Sequence, residues 1–168
     1  VLYERAVDYS LVISDKNRTS TPARGVRCTR AHALHSSKVF HPKLILLVAQ
    51  DMALTIVGSA NLTRSGHLLN LEMGKAIALS PTKPEQKDFF SSLLRYVDGP
   101  LKQEVAGSAR GCLDNISATL EEVIRSIPPM KAKVRHKFLH NYSNPLWTQL
   151  LAGLPHREVR RALVVSPF

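Results

Sequence analysis

Acidic residues are scarce in this chain: 13 Asp and Glu stand against 23 Lys and Arg, for a formal net charge of +10 and a pI near 10. That imbalance points to a polyanionic partner, nucleic acid first and an anionic membrane surface second. The positive charge is spread over Arg18, Arg24, Arg27 and Arg30, then Lys131, Lys133, Arg135 and Lys137, then Arg157, Arg160 and Arg161. Any one of these clusters also fits an ordinary solvated surface, and only their common sign carries weight. Cysteine is nearly absent. Cys28 and Cys112 are isolated, no stretch reads as a signal peptide, and the expected compartment is a reducing, cytoplasmic one. Long apolar runs are missing too. The longest, residues 44–49, is far short of the roughly 20 residues a membrane helix needs.

Several chemistries lack their residues. There is no glycine-rich phosphate loop, no Ser-His-Asp order and no His-Glu-x-x-His helix. His32, His35, His67, His136, His140 and His156 show no ligand spacing with cysteine or acid partners, so they read as surface or hydrogen-bonded histidines and no metal site is expected. What is present is enough apolar material, 44% of 168 residues, to build one core with a possible helical appendage.

The periodicities predict mixed α/β structure. Residues 9–14 and 26–29 read as short strands around a polar loop, 15–25. Residues 39–49 and 52–58 read as a hairpin, residues 61–70 as a turn or short helix, and residues 71–79 as another strand. From Pro84 the period lengthens: Phe89, Phe90, Leu93, Leu94 and Val97 recur at helical spacing. Leu113, Ile116, Leu120, Val123, Ile124 and Ile127 do so again until Pro128-Pro129 stops the helix. Residues 131–145 are basic and irregular, 146–154 suit a short helix, and 159–165 suit a strand. The expected division is a domain over residues 1–127, followed by a basic connecting segment and the start of a possible second half over 128–168.

One stretch concentrates reactive side chains. In an extended strand over residues 39–49, alternation sets His41 and Lys43 on one face, about 7 Å apart along the chain, with Phe40, Leu44, Leu46 and Val48 on the other. Gly58-Ser59-Ala60-Asn61 and Glu72 follow within a short distance. A phosphodiester is an anionic, poor electrophile, so its cleavage needs a nucleophile able to form a covalent intermediate and donors for the phosphoryl oxygens. His41 suits the nucleophile, being neutral near pH 7 in its ordinary state. Lys43, Ser59 and Asn61 suit the donors, and Glu72 suits a carboxylate that orients the imidazole. Gly58-Ser59 also fits a strand-ending turn, Asn61 an Asx-turn and Glu72 a solvated charge. Their conjunction in one order over residues 41–72 favours the catalytic reading.

This pattern resembles the signature of the phospholipase D superfamily: histidine, any residue, lysine, four residues, aspartate, six residues, then Gly-Ser-x-Asn. Six residues do separate Asp51 from Gly58, but seven separate Lys43 from Asp51, as a lengthened hairpin would. Asp51 is therefore either a hairpin-tip residue or a site residue. Glu72 stands thirteen residues after Ser59, where nucleases of that superfamily similarly carry an acid backing the histidine. The string GSANLTRSG with NLE shortly after looks more like the nuclease and DNA-phosphodiesterase branches than the lipid-hydrolysing ones.

The resemblance implies a phospholipase D-like half domain, a mixed sheet flanked by helices, with no metal and no cofactor. It also implies a two-half enzyme in which each half supplies a histidine. No second histidine-x-lysine occurs here, so the acid that protonates the leaving oxygen is expected from a second copy or a missing half, and the chain reads as a fragment or a dimerising half. The expected function is a half-site cleaving phosphodiesters, foremost in DNA, through a phosphohistidine. Two alternatives stay open: a phospholipid hydrolase or transferase of the same superfamily, disfavoured because no membrane-docking segment is evident, and a catalytically idle nucleic-acid-binding subunit.

Overall fold

The computed structural model describes residues 11–14, 29–34, 42–59, 73–130, 136–142 and 144–153. Residues 1–138 and 139–168 form two compact units.

In the first unit, β1 (Leu11–Ser14) and β2 (Thr29–His32) pair in parallel, with Leu11 opposite Thr29 and Ile13 opposite Ala31. Sequence periodicity expected the second of these strands over residues 26–29; the described strand starts at Thr29, and residues 26–28 lie outside the described residues. The register follows from size. Leu11, Ile13 and the small Ala31 pack against the core, and buried Ala33 follows the strand.

A separate antiparallel sheet is made of β3 (Leu44–Val48), β4 (Ala53–Gly58) and β5 (Gly74–Leu79), in that order. Its strands are rich in Leu, Ile and Val, which fit a pleated, half-buried surface. Leu46, Thr55 and Ile77 lie side by side across it, as do Val48, Ala53 and Leu79, and these rows face the core. The opposite face carries Ile45, Leu47, Leu54, Ile56 and Ala78, of which Leu47 is 55% exposed.

Two helices cover the core face. A 3₁₀ turn, Pro84–Gln86, leads into α1 (Lys87–Tyr96), which buries Phe89, Phe90 and Leu93. The rings of Phe89 and Phe90 meet edge to face at 5.4 Å, and Phe138 closes on Phe89 at 5.8 Å. Helical periodicity runs through Val97, but the backbone widens there into a π turn, Val97–Leu101, containing Pro100. Proline supplies no N–H and crowds the preceding turn, so a regular α-helix cannot pass. Gly107, at φ +58°, then reverses the chain in a conformation that a side chain would strain. Next comes α2 (Ser108–Ser126), burying Leu113, Leu120, Val123 and Ile124, and Pro128-Pro129 follow its end.

The Lys87 ammonium reaches across and donates to the main-chain oxygen of Ile127, just past the end of α2. It satisfies a carbonyl that the helix leaves unpaired and places positive charge at the negative end of the helix. Lys87→Met is expected to lower unfolding stability by about 1–2 kcal/mol in denaturant titration. An unchanged midpoint would show that the contact contributes nothing.

The second unit holds α3 (Leu146–Gly153). Gln149 Nε2 donates to the main-chain oxygens of His140 at 2.6 Å and Asn144 at 2.8 Å, tying the helix to the turn before it. Leu146, Trp147, Leu150 and Leu151 are all exposed on α3. No helix among the described residues is long and apolar enough to cross a membrane.

Candidate phosphodiester site

Strand polarity decides which parts of the sequence constellation come together. β3 starts one residue after Lys43, β4 ends one residue before Ser59, and β5 starts one residue after Met73. Because each strand runs opposite to its neighbour, the start of β3, the end of β4 and the start of β5 share one edge of the sheet. Main-chain bonds stitch that edge: Gly58 N–H donates to Lys43 O at 3.2 Å, and Ser59 N–H donates to Met73 O at 2.9 Å. Met73 N–H donates in turn to the Ser59 hydroxyl oxygen at 3.1 Å.

Lys43, Gly58 and Gly74 thus stand in one row across the three strands. Alternation assigns Lys43 to the face of Ile45 and Leu47, and its two row neighbours are glycines, so bare main chain flanks the ammonium-bearing position. Lys43 is half-buried and Ser59 exposed. Behind them, fully buried Thr55 donates its hydroxyl to Ile45 O at 3.0 Å, which satisfies a polar group inside the core and binds β4 to β3. Among the described residues, an anionic oxygen approaching this edge would meet the Lys43 side chain and the exposed Ser59 hydroxyl on a hydrogen-bonded backbone.

Asp51 is not part of this edge. Ala49 N–H donates to Met52 O at 2.9 Å, closing the β3–β4 turn, and exposed Asp51 sits in that turn at the far end of the hairpin. Five strand residues put it roughly 17 Å from the Lys43 end. Of its two open roles, the placement is that of a hairpin tip. His41, Asn61 and Glu72 lie outside the described residues; they stand two residues before Lys43, two after Ser59 and one before Met73 in the chain.

Three positions at the edge escaped sequence reasoning. Met73 contributes only its main chain, which no residue-type argument detects. Gly74 carried a signal, a glycine inside a strand opposite another glycine. Lys75, exposed and paired with Val57, is a second cation one residue further along β5 and on the other face by alternation.

The other described histidines, His32, His136 and His140, are dispersed. His136 Nδ1 lies 3.0 Å from Oε1 of buried Gln86, His140 Nδ1 accepts from Tyr142 N–H at 3.4 Å, and His32 is exposed. Among the described residues no three His, Cys, Asp or Glu side chains gather as a metal ion would require. No family model, no curated protein and no solved structure matches the chain.

Proposed function

We propose that this chain is a phospholipase D-like half domain supplying one half of a metal-independent phosphodiesterase site, with DNA the foremost substrate and the cytoplasm its setting. The observation that carries the reading is the shared sheet edge. Three separate pieces of sequence, ending at Lys43, Gly58-Ser59 and Met73, arrive side by side there. Chain connectivity keeps His41 and Asn61 within about 7 Å of Lys43 and Ser59, Cα to Cα, and Glu72 within about 4 Å of Met73.

In the proposed course a ring nitrogen of His41 attacks phosphorus, forming a P–N bond while the P–O bond to the leaving oxygen breaks. A histidine from a second half protonates that oxygen. Water then attacks phosphorus, the second histidine takes its proton, and the P–N bond breaks to restore His41. Lys43 and Asn61, with the Ser59 hydroxyl beside them, hold the phosphoryl oxygens, and Glu72 orients the imidazole.

A histidine nucleophile needs no metal-bound water, so cleavage of bis(p-nitrophenyl) phosphate or of an oligonucleotide should persist in excess EDTA. Activity that appears only with added divalent ion would overturn the mechanism. The exposed Leu146, Trp147, Leu150 and Leu151 of α3 favour the phospholipid alternative, since such residues dock at lipid interfaces. Anionic phospholipid vesicles therefore belong in the substrate panel, and turnover of lipid but not of nucleic acid would decide for that alternative.

A further inference from the structure

We propose that Gly58 and Ser59 form a clamp on the main chain of Met73, which makes Ser59 a positioning residue that sets the site's geometry through the β5 entry; the proposal rests on the phosphodiesterase reading above. Three observations converge on this. Gly58 donates its N–H to Lys43 O at 3.2 Å while facing the next strand so closely that a Cβ on it would lie 2.5 Å from Met73 O and 3.0 Å from the Gly74 Cα. Both are backbone atoms held by the ladder, so neither can move aside cheaply. Ser59 then grips Met73 twice, by its N–H to Met73 O at 2.9 Å and by its hydroxyl oxygen, which accepts Met73 N–H at 3.1 Å.

The second grip is unusual for a sheet. In a regular antiparallel rung, Met73 N–H would point to the partner's main-chain oxygen; here the side-chain oxygen takes that place. The rung is completed without the main chain of Ser59 having to continue as a strand. The hydroxyl oxygen also stands 3.5 Å from Met73 O, too long for a strong bond, so the accepting role dominates. Only serine or threonine offers such an oxygen one carbon from the main chain, and only glycine fits the position before it.

The test combines residue-resolved hydrogen exchange with steady-state kinetics on bis(p-nitrophenyl) phosphate, for the wild-type protein, Ser59→Ala, Ser59→Thr and Gly58→Ala. In Ser59→Ala the Met73 amide is expected to exchange about tenfold faster, while the Thr55 amide in mid-sheet keeps its rate. The same variant should lose about tenfold in kcat with KM within about twofold, because misplaced groups hurt the reaction more than the encounter. Ser59→Thr should restore both, and Gly58→Ala should loosen Met73 and Gly74 together. Unchanged Met73 exchange in Ser59→Ala would overturn the clamp. A rise in KM at unchanged kcat would overturn the positioning role, and a loss of kcat with Met73 exchange unchanged would assign the loss to direct phosphate contact instead. Faster Met73 exchange with no turnover in any variant, at concentrations where sedimentation shows the chain self-associated, would overturn the phosphodiesterase reading, and the catalytic part of this proposal with it, on separate grounds from the clamp.

Discussion

His41→Asn is expected to abolish turnover, and Lys43→Ala to lower it by about 100- to 1,000-fold, the usual cost of removing one preorganised donor to a developing anion. The main-chain oxygen of Lys43 accepts Gly58 N–H, and alanine keeps that bond. Leu44, the next residue, continues to pack on the core from the other face. Circular dichroism and the unfolding midpoint should therefore stay close to wild type, with the loss confined to kcat/KM. Nucleic-acid binding should survive in His41→Asn and fall steeply with salt, as phosphate contacts release counterions. Full turnover in either variant would reduce the constellation to a coincidence of sheet composition.

The core was legible in the sequence because its signals are redundant. Phe89, Phe90, Leu93 and Val97 repeat at helical spacing, as do Leu113, Leu120, Val123 and Ile124, and all are buried. A missed residue in such a stripe leaves the pattern readable. The hairpin was legible for a similar reason, since Leu44, Leu46 and Val48 alternate with the outer face. What stayed hidden depends on single positions or on pairing. The π turn at Val97–Leu101 is a local answer to Pro100, and periodicity averages over it. The parallel pairing of β1 with β2 is a long-range choice that a four-residue strand such as Thr-Arg-Ala-His does not announce.

The candidate site divides along the same line. Residue types nominated Lys43 and Ser59, and the antiparallel order that follows from a short turn between β3 and β4 sets both at one end of the sheet. The same polarity sends Asp51 to the opposite end, which counting residues along a motif cannot reveal. The bond from Met73 N–H to Ser59 Oγ was invisible because it uses a main-chain group.

Turnover is also expected to depend on a second half-site, and this follows from the proton inventory. Breaking the P–O bond leaves an alkoxide whose departure requires a proton, and the His41 nitrogen joined to phosphorus cannot at the same time deliver or recover it. Of the chain's seven histidines only His41 sits in a histidine-x-lysine pair, and His136 is bonded to Gln86. On the proposed mechanism a second histidine is expected from another molecule or another half, facing His41 across a two-fold or pseudo-two-fold axis and near enough to reach the same leaving oxygen. For self-association the specific activity should rise with protein concentration and level off as the dimer fills, while sedimentation velocity shows the matching shift in mass. Mixing His41→Asn with Lys43→Ala should leave turnover far below wild type if each half-site needs its own complete pair. A strictly monomeric 168-residue chain with robust, concentration-independent specific activity would show that the two-histidine mechanism does not operate in this protein.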